Sequence, residues 1–211
     1  MIDDKHLDEL IERYPALAPI QEAIAMGADA MKKSIDAGGK ILVCGNGGSA
    51  ADADHIVGEL MKSFVKKRPI ADSLKQALLA ADAVLGSELA DSLQGGIPAI
   101  SLTQHTALST AFANDVDPHM TYAQQTAVLG NANDIFIGIS TSGNAKNVRY
   151  AAICAKAKGL TVIGLTGESG GKLKALCDIC ITVPETATFK VQELHLPVYH
   201  TLCLMLEEHC W

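Results

Sequence analysis

CGNGGSAADADH, residues 44–55, joins the run Lys40-Ile41-Leu42-Val43-Cys44 to the stretch Ile56-Val57-Gly58-Glu59-Leu60. Gly45, Gly47, Gly48 and Ser49 put four small residues into five positions. An ordinary connection does not need so little side chain, because each glycine costs conformational entropy on folding. The gain is a backbone that adopts positive φ and lies close to a ligand. An apolar strand, a small-residue turn and an opening helix are the first half of a βαβ unit.

The same pattern recurs along the chain. Strand-like apolar runs are Ile41–Cys44, Ala99–Leu102, Ile135–Ile139, Thr161–Leu165 and Ile179–Val183. Helical spacing fills residues 49–63, 73–93, 106–129, 145–157, 171–176 and 188–209. Short continuous apolar strands alternating with helices imply parallel pairing in an α/β sheet buried on both faces. Residues 5–37 also read as helical, broken near Pro15 and Pro19 and stopped by Gly38-Gly39. The expected organisation is an N-terminal helical arm, 1–37, followed by one α/β domain, 38–211. Residues 71–96 (ADSLKQALLAADAVLGSELADSLQGG) form an extra Ala/Leu-rich helical stretch within it.

Composition narrows the function. The chain has 211 residues, 48% hydrophobic, and a formal charge of −7. That charge argues against a nucleic-acid backbone as the main ligand, though local donors still hold a small anion inside an acidic protein. No apolar run reaches the roughly 18 residues of a membrane span. Met1 to Pro15 is charged and shows no secretory signal. The six cysteines, Cys44, Cys154, Cys177, Cys180, Cys203 and Cys210, read as free thiols of a cytoplasmic protein. Cys177 and Cys180 have half a zinc-site spacing but no second pair. In a strand their odd spacing points them to opposite faces.

In an open parallel sheet, ligands collect beyond the carboxyl ends of the strands. A second small-residue loop, Ser140-Thr141-Ser142-Gly143-Asn144, leaves the strand Ile135–Ile139 there and opens the next helix. Hydroxyls, free N–H groups and the positive end of a helix make a phosphate cradle without Lys or Arg. Helix capping by Ser142 or Asn144 explains one hydroxyl, not three in a row.

These segments resemble the SIS (sugar isomerase) domain family, and within it the phosphoheptose isomerases, which convert sedoheptulose 7-phosphate to a heptose 7-phosphate. The residues that carry the resemblance are CGNGGSAADADH with its spacing to Glu59, GISTSGNAKNV (138–148), GLTGESGGKL (164–173) and QELHLPVYH (192–200). It runs from about residue 40 to the C-terminus, interrupted by 71–96. The resemblance implies a five-stranded parallel sheet flanked by helices, a homotetramer, and active sites at subunit boundaries. It implies that the sugar phosphate is held by Ser140, Thr141, Ser142, Asn46 and Ser49, with Gly47, Asn144 and Gln192 completing the binding set. No nucleotide cofactor is implied.

Aldose–ketose isomerisation needs a base for a carbon-bound proton and a proton shuttle for two oxygens. His55 and Glu59, four apart, share a helix face, with Asp52 nearby; Asp54 reads as solvated. An exposed ion pair is the plain reading of that spacing. The loops upstream give it a chemical one. On the last helix, periodicity sets Glu193 nearly in line with His200 and Gln192 about 80° away, at ~100° per residue. The resemblance chooses Gln192, and a turn distorted by Pro197 offers a way to reconcile the two. His195 reads as a core or interface histidine. The resemblance assigns acid–base catalysis to Glu59 and His200, and zinc to His55, Glu59, Gln192 and His200. Bound zinc restricts proton transfer by its own ligands, so it either polarises substrate oxygens or occupies the resting site.

Two departures bear on the substrate. The family's arginine after the catalytic glutamate is Ser63 here, with Lys66, Lys67 and Arg68 following. Its aspartate before Gln192 is replaced by Thr188-Phe189-Lys190, and Lys190 offers another contact to an anion. The competing readings are an isomerase of another anionic sugar of different chain length, and a non-catalytic SIS protein of the replication-initiator-associating type. Relatives of that type lack the glutamate and late histidine found here as Glu59 and His200. A sugar-phosphate sensor is a third reading, but no segment resembles its usual DNA-binding module.

Overall fold

A computed structural model describes residues 5–211; the first four residues of the expected arm lie outside them. The strands are β1 (Ile41–Cys44), β2 (Ala99–Ser101), β3 (Ile135–Ser140), β4 (Thr161–Thr166) and β5 (Ile179–Thr182). They form one sheet in the order β2-β1-β3-β4-β5, every pair parallel. The helices are α1 (Lys5–Arg13), α2 (Gln21–Asp36), α3 (Gly48–Met61), α4 (Asp72–Ala81), α5 (Leu85–Ser92), α6 (Thr106–Asp115), α7 (Thr121–Leu129), α8 (Lys146–Ala157) and α9 (Thr188–Cys210).

Successive strand residues face opposite layers. Ile41, Val43, Ile135, Ile137, Ile139, Ile163, Leu165 and Ile181 pack beneath α1, α2, α3 and α9. Leu42, Cys44, Phe136 and Val162 pack on the other side against Val148, Ala151, Ala152 and Ala155 of α8. β1, β3 and β4 are buried on both faces, which is why they read as unbroken apolar runs; the edge strand β5 is partly exposed. Leu7, Leu10, Leu17 and Ile24 of the N-terminal segment join the first of these cores.

The proline breaks set the N-terminal helix boundaries: Pro15–Ile20 is a 3₁₀ turn between α1 and α2. Two helical expectations change. Residues 106–129 divide at Pro118, where a 3₁₀ turn follows Asp117, since proline lacks the N–H that a continuous helix needs. Residues 171–176 give only the 3₁₀ turn Lys174–Leu176, because the positive φ of Gly170 and Gly171 keeps the start of that segment out of a helix.

Residues 71–96 form α4 and α5. Gly86 meets the backbone of Leu78 so closely that a β-carbon has no room. No residue of α4 is buried, and Gly86 alone is buried in α5. The excursion closes at its base: Gly95 N–H donates to Arg68 O (2.6 Å) and Ile97 N–H to Leu60 O (2.9 Å). Among the described residues, no helix is long and apolar enough to cross a membrane.

Candidate functional site

With β1 followed by β2 on one side and β3 on the other, the chain changes direction across the sheet between β1 and β3. Crevices in open parallel sheets form at that switch point. The two small-residue loops leave these two adjacent strands. The loop after β1 turns on Gly47, φ 55°, and Ser49 beyond it is buried. Tyr122 donates its hydroxyl proton to Gly45 O (2.6 Å). The side-chain amides of Asn46 and Asn147 pair in both directions, at 2.9 and 2.8 Å, joining the first loop to α8.

The loop after β3 differs from the capping alternative. Helix α8 begins at Lys146, its N-cap is Ala145, and no side chain caps it. Ser140 is buried, and its Oγ accepts from Ala145 N–H at 3.4 Å. Ser142 and Asn144 are exposed and bond each other's backbone rather than the first helical turn. Gly143 has φ 65° and packs against the Gly170–Gly171 backbone. Thr141 O accepts from Gly167 N–H (2.9 Å). The loop is thus held from behind and presents hydroxyls and N–H groups at a helix N-terminus.

Helices α3 and α9 lie side by side, with matching positions in the same order. At one end the Gln192 carboxamide lies over Gly48, filling the space a β-carbon would take. Further along, Tyr199 OH is 3.0 Å from His55 Nδ1 and donates to Asp52 Oδ1 at 3.3 Å. His55 Nε2 stands 3.3 Å from Glu59 Oε1, and Lys62 Nζ is 3.2 Å from Glu59 Oε2. The His55 and His200 rings meet edge to face, 5.0 Å between centroids, and His200 packs on Tyr199 and Phe64. The structure therefore gathers His55, Glu59 and His200, places Gln192 two turns away against Gly48, and leaves Glu193 exposed. Periodicity had favoured Glu193 because it measures angle on one helix. The partner helix decides which side faces inward.

Burial governs the charges here. It lowers His200, and the neighbouring His55 adds to this against the pull of Glu59. Burial raises Asp52, opposed by its Tyr199 hydrogen bond and by His55. Nε2 of His200 and Oδ2 of Asp52 are buried without a hydrogen-bond partner. His195 is fully buried on the sheet side, where burial lowers it to about 4; it is a core residue.

Asp54 is only partly exposed and is engaged by neighbouring side chains. Its carboxylate accepts from Ser101 Oγ (2.5 Å), Thr103 Oγ1 (2.6 Å) and Gln104 Nε2 beyond β2. Tyr199, Asn147 and this polar trio were missed by the sequence reading. Tyr199 adjoins His200, and that adjacency was its only signal. Lys190 pairs with Glu185 at 3.9 Å. Arg68 turns inward, away from solvent: its guanidinium binds Glu207 Oε1 (2.6 Å), Leu60 O (2.8 Å) and Glu59 O (3.1 Å). Cys177 and Cys180 do not point to opposite faces. Cys177 precedes β5, so strand alternation does not apply to the pair.

Comparison with known proteins agrees with this architecture. The model of the SIS domain family matches residues 7–95 and 88–167. A phosphoheptose isomerase of Burkholderia pseudomallei is 40% identical over 191 residues, covering 90% of this chain and 82% of its own. Among solved structures, the phosphoheptose isomerase of Neisseria gonorrhoeae superposes with a TM-score of 0.74 at 31% identity, covering 96% of this chain and 95% of its own. That of Francisella tularensis gives 0.72 at 32%, covering 96% and 92%. With a parallel sheet in this order and that identity along nearly its whole length, the chain belongs to the SIS domain family and, within it, to the phosphoheptose isomerases.

Proposed function

We propose that this chain isomerises sedoheptulose 7-phosphate to a heptose 7-phosphate through an enediol. The observation that carries the reading is the packing of His200 against the His55–Glu59 pair, on a helix that begins at the first phosphate-type loop. Ser140, Thr141, Ser142 and Asn144, with Asn46, Gly47 and Ser49, hold the phosphate; Gln192 orients the chain above Gly48. Glu59 takes a proton from C1 of the ketose while His200 protonates O2, giving the enediol. Glu59 then returns a proton to C2 as His200 removes the one on O1, which becomes the aldehyde oxygen. Burial keeps His200 neutral near pH 7, so one imidazole both gives and accepts protons. Ser63 and Lys190, the departures from the family pattern, stand outside these roles. The presence of both Glu59 and His200 favours this reading over a non-catalytic SIS protein, and the family's substrate favours it over a sugar of another length.

Zinc is a second expected ligand. Two imidazoles and a carboxylate are a zinc donor set, His55 is oriented through Nδ1 by Tyr199, and His200 Nε2 lacks a partner. Against this, no group of three His, Cys, Asp or Glu among the described residues is arranged to hold a metal. Gln192 sits eight residues from His200, about 12 Å along an α-helix. His55, Glu59 and His200 would be the primary ligands, with Gln192 outlying. When bound, the ion would polarise substrate oxygens.

The acidic chain, with no membrane-spanning helix among its described residues, fits a cytoplasmic enzyme with neither a nucleic-acid nor a membrane partner. The division into an arm, 1–37, and an SIS domain, 38–211, is a division of the sequence, with Leu7, Leu10, Leu17 and Ile24 of the arm packed into the domain's core. Leu74, Leu79, Val84, Leu85, Leu89 and Leu93 are each at least 44% exposed on α4, α5 and their flanks, which fits a homotetramer with active sites at subunit boundaries. The test is NMR detection of solvent deuterium entering C4 to C7 sugar phosphates. The wild type should label the heptulose phosphate, while Glu59→Gln and His200→Asn should lose nearly all labelling and keep their circular dichroism. Near-normal exchange in either variant refutes the assigned pair.

A further inference from the structure

We propose that Cys177 and Cys180 are a redox modification site, a dithiol that closes to a disulfide by exchange with a low-molecular-weight disulfide such as oxidised glutathione. The two sulfurs share one pocket over β4. A β-carbon on Gly164 would lie 2.5 Å from Cys177 Sγ and 3.4 Å from Cys180 Sγ, so the absence of a side chain there makes room for both. The Cys177 thiol donates to Leu173 O at 3.3 Å. Thr166 Oγ1 is 3.8 Å from Cys180 Sγ. Cys177 lies in the turn entering β5, an edge strand of the sheet. Both residues are partly exposed, within reach of a small disulfide.

The neighbouring Cys177 thiol lowers Cys180, against burial, and Cys177 itself is raised. Elsewhere the thiols are raised by burial: Cys44 and Cys203 are enclosed, and Cys154 and Cys210 are shifted the same way. Exchange begins with the thiolate fraction of the attacking thiol. Cys180 S⁻ attacks one sulfur of the oxidised glutathione, forms a mixed disulfide and expels one glutathione thiolate. Cys177, losing its proton to water, attacks the Cys180 sulfur and expels the second. The protein loses two hydrogens; the small disulfide is reduced to two thiols.

The full-length protein is incubated with oxidised glutathione at about pH 7, quenched in acid, alkylated and digested with trypsin. Cleavage after Lys174 and Lys190 yields one peptide, residues 175–190, carrying both cysteines. The expected product has lost two hydrogens, resists alkylation and regains both thiols with dithiothreitol. Cys177→Ser should retain one glutathione on Cys180, and Cys180→Ser should react roughly ten-fold more slowly. Two free thiols, two glutathione adducts, or equal rates in the two variants would overturn the proposal. The wild-type measurement stands without either variant, and none of the readouts depends on isomerase activity.

Discussion

Replacing Arg68 by methionine should cost this protein about 3–5 kcal/mol of stability. Arg68 is 1% exposed and Glu207 is 1% exposed, and their ion pair measures 2.6 Å. The guanidinium also closes the last turn of α3 through Leu60 O and Glu59 O and lies over the Trp211 ring at 5.0 Å. Methionine fills much of the volume but takes the guanidinium from Glu59 O, leaves Leu60 O with Ile97 N–H as its partner, and leaves a buried carboxylate without its cation. Glu207 keeps the N–H groups of Phe64, Val65 and Lys66, at 3.0–3.1 Å, which holds the loss below that of an isolated buried charge. At about 2–4 °C per kcal/mol for a chain of this size, the melting temperature should fall by about 6–20 °C. The assay is thermal and urea unfolding at fixed protein concentration. The pH dependence adds a signed check. Burial raises Glu207, but its N–H donors and Arg68 outweigh that and leave it lowered. The stability it supplies is present above the unfolded carboxylate value, about 4.3, and is lost as pH falls through the lower folded value. The variant should show a weaker acid dependence. A loss under about 1 kcal/mol, the range of an exposed pair, would refute the reasoning.

Other outcomes follow from single residues. His195 is lowered to about 4 by burial, so the unfolded chain takes up its proton first, near pH 6.5, and stability falls as pH drops from there towards 4. His195→Met should remove up to about 3 kcal/mol of that dependence in urea titrations at several pH values; an unchanged slope would exclude His195 as its source. Ser142→Ala should raise KM for the sugar phosphate several-fold and leave kcat within about two-fold, by loss of one hydrogen bond to a charged group; unchanged affinity would misplace the cradle. Chelation should lower turnover and added zinc restore it, with elemental analysis giving metal content; a fully active metal-free enzyme would leave zinc no catalytic part.

How much of this was legible in the chain depends on what each residue answers to. β1, β3 and β4 were readable to within a residue because both faces of each strand meet apolar layers, so local sequence carries the whole signal. The small-residue loops were readable for the same reason: Gly47 and Gly143 sit at positive φ, a backbone demand written into residue type. Asp54 was misread because its partners, Ser101 to Gln104, arrive from a different strand. In the sequence Arg68 stands only as the last of three basic residues after Ser63; its role as a buried anchor was not legible, since Glu207 lies 139 residues away. Helix α9 shows the same limit in finer form. Gln192 and Glu193 are adjacent, and an isolated wheel aligns Glu193 with His200. The inward side is set where α9 meets α3, with Gln192 on Gly48, Tyr199 on Asp52 and His55, and Glu207 on the loop that follows. Four contacts in one order fix a register that no periodicity contains. Gly48 is therefore a packing position as much as a loop residue, because only its missing side chain admits Gln192 at the mouth of the first loop. That shared register also holds the helix carrying Glu59 against the helix carrying His200, as the proposed acid–base pair drawn from two helices requires.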